Sequence, residues 1–135
     1  MKIVVLDTNI LISATFWDGN ESKLIEKVEE ENVVMVTSPE ILDEFRRTLA
    51  KDRFPLTSEE IDDTVSRMSL LAMIIHPQTK VNVVKDDLED NKFLECALDA
   101  GADFIVSGDR HLLDLKIFKG IKIVKCKKFL EIFGN

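Results

Sequence analysis

A three-layer α/β domain with a mainly parallel central sheet is predicted by three observations. Short apolar, β-branched runs alternate with segments of helical period along the 135-residue chain, the order expected of βαβ units. One of those runs, residues 3–6, is continuously apolar, as in a central parallel strand covered on both faces, and residues 102–106 make another strand. Each is closed by a polar corner carrying an aspartate, Asp7 after the first and Asp109 after the second.

Taken in order, residues 3–6 form the first strand and Asp7 ends it. Asp7, Thr8 and Asn9 offer several side-chain caps to a helix that begins near Ile10. A carboxylate at the C-terminal end of a buried strand is where open α/β sheets place ligands. As a mere cap Asp7 is redundant, because Thr8 or Asn9 could serve. After the interruption at Phe16, Trp17, Asp18 and Gly19, residues 21–30 resume as a helix with Leu24, Ile25 and Val28 inward. Residues 33–36 make a second buried strand. Ser38 and Pro39 then start a helix, serine as cap and proline in the first turn, that runs to about residue 51 and buries Ile41, Leu42, Phe45 and Leu49. Glu44 lies about a quarter-turn outside that stripe, where it either reaches into a cleft at the core's edge or faces solvent.

Phe54 and Pro55 break the chain. Thr57 or Ser58 caps a helix to about residue 72, with Ile61, Val65, Met68 and Leu71 or Ala72 inward and no full capping box. Residues 73–77 are a short strand or its approach, and residues 81–84 read as a strand edge. On a helix from about residue 88, Phe93, Leu94, Ala97 and Leu98 share one stripe. Asp90 falls near the middle of that stripe, Asp87 one turn earlier at its edge, and Asn91 about a quarter-turn away. A carboxylate aimed inward is costly unless hydrogen-bonded, paired or bound to a metal. Both acids can equally be first-turn residues, favoured by unpaired N–H groups and the helix dipole. Gly101 ends this helix. Strand 102–106 follows, then the Ser107-Gly108-Asp109 corner, a short helix packed by Leu112, Leu113 and Leu115, a final strand at 121–124 and a helix at 128–133 burying Phe129, Leu130 and Phe133. Neither a linker nor a repeat divides the chain, so residues 1–135 are expected to form one domain.

Composition narrows the function classes. With 45% hydrophobic and 32% charged residues the chain reads as an ordinary soluble domain. The first apolar run is cut by Asp7, so no membrane span is expected, nor a secretory leader; the expected location is cytoplasmic. Cys96 and Cys126 read as buried thiols of a reducing compartment. A net charge of −7 argues against coating nucleic acid by bulk attraction. Positive charge is nonetheless clustered. Lysines 116, 119, 122, 125, 127 and 128 lie close together, and Arg46, Arg47, Lys51 and Arg53 form a second group. These either flank an acidic centre and hold a phosphate backbone, or keep an edge strand and the last helix soluble. No Gly-rich phosphate loop with lysine occurs, no nucleophile elbow either, and the two histidines, His76 and His111, are too isolated for a structural zinc site.

The carboxylates converge. Ends of adjacent parallel strands meet on one edge of the sheet, which makes Asp7 and Asp109 neighbours. Asp90 approaches the same edge from the helix before the Asp109 strand, and Glu44 from the helix after the second strand. Four acids in one cleft repel one another without a cation. Hard oxygen ligands suit Mg2+ or Mn2+, and one ion, or a pair about 3.5–4 Å apart, would serve phosphodiester hydrolysis.

The segments VLDTNILISA (5–14), PEILDEF (39–45), DNKFLECA (90–97) and DFIVSGDRHLL (103–113) together resemble PIN-domain ribonucleases, and among them the VapC-like toxins of prokaryotic toxin–antitoxin pairs. The resemblance runs from Lys2 to Phe133. It implies a PIN-like α/β/α sandwich with strand order 3-2-1-4-5, commonly dimeric, and magnesium- or manganese-dependent cleavage of single-stranded or structured RNA. By it, Asp7, Glu44, Asp90 and Asp109 form the acidic metal site, Asn9 and Ser107 are supporting polar residues, and a small antitoxin protein occupies the cleft with a peptide. Many toxin-type relatives carry an aspartate where this chain has Asn91. Asp87 stays open between bystander, second-metal ligand and cap. The expected function is thus a divalent-metal-dependent endoribonuclease, the toxin of such a pair and a homodimer. Two alternatives are a non-catalytic RNA- or protein-binding module, with acids too far apart to share a cation, and a small metal-dependent phosphatase, with a closed pocket instead of a basic groove.

Overall fold

The computed structural model describes residues 1–51 and 54–133; Arg53 of the second basic group lies outside them. Strand β1 (Lys2–Leu6) is followed by α1 (Thr8–Phe16) and α2 (Asn20–Glu29), then β2 (Val33–Thr37), α3 (Pro39–Leu49), α4 (Ser58–Leu71) and β3 (Met73–Ile74). A 3-10 turn (Leu88–Asp90) leads into α5 (Asn91–Ala100), and β4 (Phe104–Val106), α6 (Arg110–Leu113), β5 (Ile117–Phe118), β6 (Ile121–Val124) and α7 (Cys126–Ile132) complete the chain. The sheet order is β3-β2-β1-β4-β6-β5, parallel throughout except for the β5–β6 pair. This is the predicted three-layer α/β/α sandwich and the predicted strand order, with one antiparallel edge strand added.

Topology sets the layers. From β1 to β3 the sheet grows in one direction, and right-handed crossovers carry α1–α4 on one face. The chain then returns to the other side of β1 to form β4, so its crossover helix α5 falls on the opposite face, against β1, β2 and β4. The centre of the core is strand residues Val4, Val5 and Ile105 with Phe45, Phe93, Leu94 and Phe129 from the helices. Burying an aromatic or branched side chain of this size is worth about 1.5–3 kcal/mol. Among the described residues no helix is long and apolar enough to cross a membrane.

Several local expectations change. Thr57, not Ser58, caps α4, and Glu60 at the third helical position returns the bond to the Thr57 N–H, so a full capping box is present. Residues 81–84 pair with no strand. Val81 N donates instead to Glu95 Oε2 (3.0 Å), and the rest of the segment is held by Asn91, whose Oδ1 accepts from Val83 N (3.1 Å) and Val84 N (2.9 Å) while Nδ2 donates to Val84 O (3.0 Å) and Leu88 O (3.1 Å). Asn91 is therefore buried and structural, not peripheral to the apolar stripe. Helix α7 begins at Cys126, two residues before the predicted start, which buries Cys126. Strand β5 has no signal in the sequence: it is two residues long and turns through Lys119 and Gly120, both at positive φ (47° and 85°), a two-residue hairpin without the usual Asn-Gly pair.

Candidate active site

Strands β1 and β4 are neighbours whose registers end together, Leu6 opposite Val106. The strand order reverses between them, and a crevice opens beyond their carboxyl ends at such a reversal. Asp7 and Ser107 are the next residues on each side, and they are in contact. Asp7 Oδ2 accepts from Ser107 Oγ and, at 3.4 Å, from Gly108 N, while Oδ1 accepts from Ile10 N at 2.9 Å. The residue thus caps α1 and forms the crevice floor at once, so the two readings of Asp7 do not compete. Ser107 is fully buried, and its Oγ accepts from Asp109 N (2.9 Å), tying both corners together. Burial outweighs the three donors and raises the Asp7 carboxyl above its ordinary range.

Asp90 stands where the 3-10 turn becomes α5. It is 7% exposed, and among the described residues no N–H or O–H group reaches its Oδ2. Beside it is another carboxylate, Asp109. Burial first, then Asp109, Asp87 and Glu44, push Asp90 up to about 8. Asp109 is held low, chiefly by the proton that Asp90 retains and by the His111 N–H that its Oδ1 accepts at 3.0 Å. Two carboxyl groups so placed share either a proton or a cation. His111 joins them: one ligand atom each from Asp90, Asp109 and His111 lie within 4.8 Å of one another, the set that could hold a metal ion among the described residues.

Glu44 projects from the middle of α3 to the same cleft. Its Oε2 accepts from Thr8 Oγ1 and its Oε1 from Lys92 Nζ at 2.5 Å. The cleft, about 460 Å3, is lined by Asp7, Thr8, Asn9, Glu44, Asp87, Asp90 and Asp109, with Phe93, Arg47, Thr48 and Lys51 completing its walls. Asn9 and Asp87 are exposed at the rim; Asp87 Oδ1 caps the 3-10 turn through Glu89 N (3.2 Å). All seven residues singled out by the sequence therefore meet, Ser107 from behind Asp7. Asp7 and Glu44, each already tied to donors, stand outside the tight group of three.

The sequence profile of the PIN domain family matches residues 3–111. The chain belongs to the PIN domain family. An uncharacterized protein of Methanocaldococcus jannaschii is 36% identical over 142 residues, covering 96% of this chain and 90% of that protein. Among solved structures, VapBC2 of Rickettsia felis bound to a promoter DNA fragment has a chain with TM-score 0.62 at 15% identity, covering 90% of this chain and 96% of the other. PAE2754 of Pyrobaculum aerophilum superposes with TM-score 0.62 at 12% identity, over 99% and 91% of the two chains. The T. brucei RRP44 PIN domain superposes with TM-score 0.58 at 11% identity, over 98% and 81%. These three are likenesses of fold.

Three contributors to this PIN-domain cleft have no role at the site in the sequence reading, where Thr8 is a candidate helix cap alone. His111 is two residues past Asp109, and on the single turn of α6 that spacing returns the ring to the acids; the Asp-x-His interval was the available signal. Lys92 supplies an internal cation to Glu44 from 48 residues away, and Thr8 a hydroxyl from 36 away, separations that no local pattern reveals. Of the described residues of the two basic groups, Arg47 and Lys51 line the cleft; the six lysines from 116 to 128 are exposed along the β5–β6 edge and α7. Both cysteines are buried, with thiols pushed up to about 12 by burial.

Proposed function

We propose that this PIN domain is a divalent-metal-dependent endoribonuclease, the toxin component of a toxin–antitoxin pair. The observation that carries the reading is the buried Asp90 carboxyl, with an oxygen that no donor among the described residues reaches, set beside Asp109 and His111 in an open cleft. That arrangement fits a cation: a positive ion removes the repulsion that otherwise forces Asp90 to keep a proton. Asp90 and Asp109 would hold the ion, with Asp7 and Glu44 completing the acidic set around it. When bound, Mg2+ or Mn2+ supplies Lewis acidity toward a phosphate oxygen and toward an attacking water. The imidazole of His111 tilts the preference to Mn2+, which accepts nitrogen more readily than Mg2+ does.

The remaining residues bind and orient. Ser107, Gly108 and Ile10 hold Asp7 in one rotamer, so its position does not depend on substrate. Lys92 balances the charge of Glu44, and Thr8 fixes its other oxygen. Arg47 and Lys51 place positive charge along one wall, where a phosphodiester backbone can lie. The spacing of Asp90 and Asp109 speaks against a non-catalytic module, whose acids would be too far apart to share an ion. An open cleft with two cations on its wall speaks for a polymer over a phosphomonoester. A small inhibitory protein partner is supported by the likeness of fold to a chain of VapBC2 and by the VapC-like segments.

The test is RNA cleavage by rigorously purified protein. Activity that requires Mn2+ or Mg2+, disappears in EDTA and is lost equally in Asp7→Asn and Asp90→Asn supports the proposal. Undiminished cleavage by both variants would assign the activity to a contaminant and overturn it.

A further inference from the structure

The acidic cleft continues along α1 into a second pocket that none of the acids line. Its volume is about 420 Å3, and Asn9, Ile12, Ser13, Trp17 and Phe54 surround it. Asn9 belongs to both cavities, so the two share a wall. Asn9 and Ser13, four apart, lie on one stripe of α1 running away from Asp7, and Trp17, four further on, is the C-cap residue of that helix. Trp17 ends that stripe 60% exposed, an unusual placement for the one tryptophan of the chain. Its ring is supported: Phe16 meets it edge-on at 5.8 Å, and Phe16 in turn stacks on Phe54 at 4.7 Å with an interplanar angle of 6°. Its backbone N–H is bound to Ser13 O at 3.0 Å.

We propose that Trp17 and the pocket beside it form a nucleobase-binding subsite, which stacks one base of a single-stranded RNA whose backbone crosses the acidic cleft. The inference rests on the nuclease reading above and adds to it a base-binding contact away from the acids. Among the described residues the lining of this pocket is uncharged, which suits the flat, polar-edged face of a base. Asn9 and Ser13 offer an amide and a hydroxyl to that edge, and the supported indole offers the face. Arg47 and Lys51 stand on the wall of the adjoining cavity, where the phosphates would pass. The nine residues of α1 span about 14 Å. That is about four stacked nucleotides from the acids at roughly 3.4 Å each, fewer if the strand is extended. A duplex cannot present a base this way, so the subsite selects single strands.

Trp17 is the sole tryptophan and tyrosine is absent, so intrinsic fluorescence reports this one ring. In the Asp90→Asn background, which stops turnover, the protein is titrated with oligo(U) and oligo(A) of about ten nucleotides. Binding is followed in parallel by anisotropy of the end-labelled strand. The expected result is saturable quenching with the anisotropy Kd. Trp17→Ala should weaken binding roughly 5- to 100-fold and Trp17→Phe only slightly, with a corresponding rise in KM for RNA in the otherwise native protein. A strand that binds without quenching, or binds Trp17→Ala as tightly as the parent, overturns the subsite while RNA cleavage by the native protein leaves the nuclease reading standing. No binding of either strand overturns the subsite too, and the cleavage assay then decides separately on the nuclease. If Trp17→Ala spares the strand but releases a co-purifying protein, the surface is a protein contact and the inference fails.

Discussion

At Asp90 one buried carboxyl links stability to ligand binding. Its ordinary value, 3.8, is that of the unfolded chain, and in the folded metal-free protein it rises to about 8. The folded state therefore binds more protons than the unfolded one across that interval, so stability falls as pH rises. The contribution is fully present below about pH 4 and is lost on passing through pH 8. The metal-free protein is expected to melt several degrees lower at pH 9 than at pH 5, measured by calorimetry in EDTA. Asp90→Asn should flatten that slope, raise the Tm at pH 9 and abolish the stabilisation that Mn2+ gives the parent. A parent whose Tm is indifferent to Mn2+ at pH 9 would count against a cation at Asp90 and Asp109.

Elements place that residue, and two polar devices at element ends differ in what they control. Asn91 is the first residue of α5, and it satisfies four backbone groups of the 83–88 segment, which forms the acidic rim. Asn91→Ala leaves buried N–H and C=O groups unpaired, at a cost of about 2–4 kcal/mol, and frees the segment that carries Asp87. Activity should fall along with stability. The capping box at Thr57 is remote from the cleft and exposed. Thr57→Ala should cost about 1 kcal/mol and leave cleavage unchanged. Denaturant melts paired with a cleavage assay separate the two, and equal losses of activity in both variants would refute the assignment.

For the whole molecule, net charge and local charge point in opposite directions. A protein of charge −7 gains no general attraction for RNA, so the contribution of Arg47 and Lys51 on the cleft wall should be visible against a low background. Removing one phosphate-binding cation should make the fall of log K with log salt shallower by about 0.7 for a single strand. Arg47→Ala with Lys51→Ala should therefore reduce that slope by about 1.4, whereas replacing Lys125 and Lys128, exposed near α7, should not change it. Equal effects of the two pairs would mean that RNA is held by diffuse charge instead of the cleft.

How much of this was legible beforehand follows from the range of each signal. Strand runs, helix faces, the Ser38 cap and Gly101 at φ 64° are local, and periodicity with corner chemistry determined them, the three-layer class included. Asp7 and Asp109 were legible as well, because ends of parallel strands must share an edge. The two-residue strand β5 was not, since its pairing with β6 is supported by register and not by composition. Asn91 illustrates the limit. A quarter-turn from the stripe reads as peripheral, yet the 81–84 segment folds over it and makes it interior. Asp90 reads as a cap or a ligand from sequence alone. Only the packed structure shows that its side chain makes no cap bond to α5 and that, among the described residues, it is set against Asp109 and His111 with one oxygen lacking a donor. Local bonding preferences are written in adjacent residues, whereas burial and the meeting of charges depend on which distant segments the topology brings to the same edge.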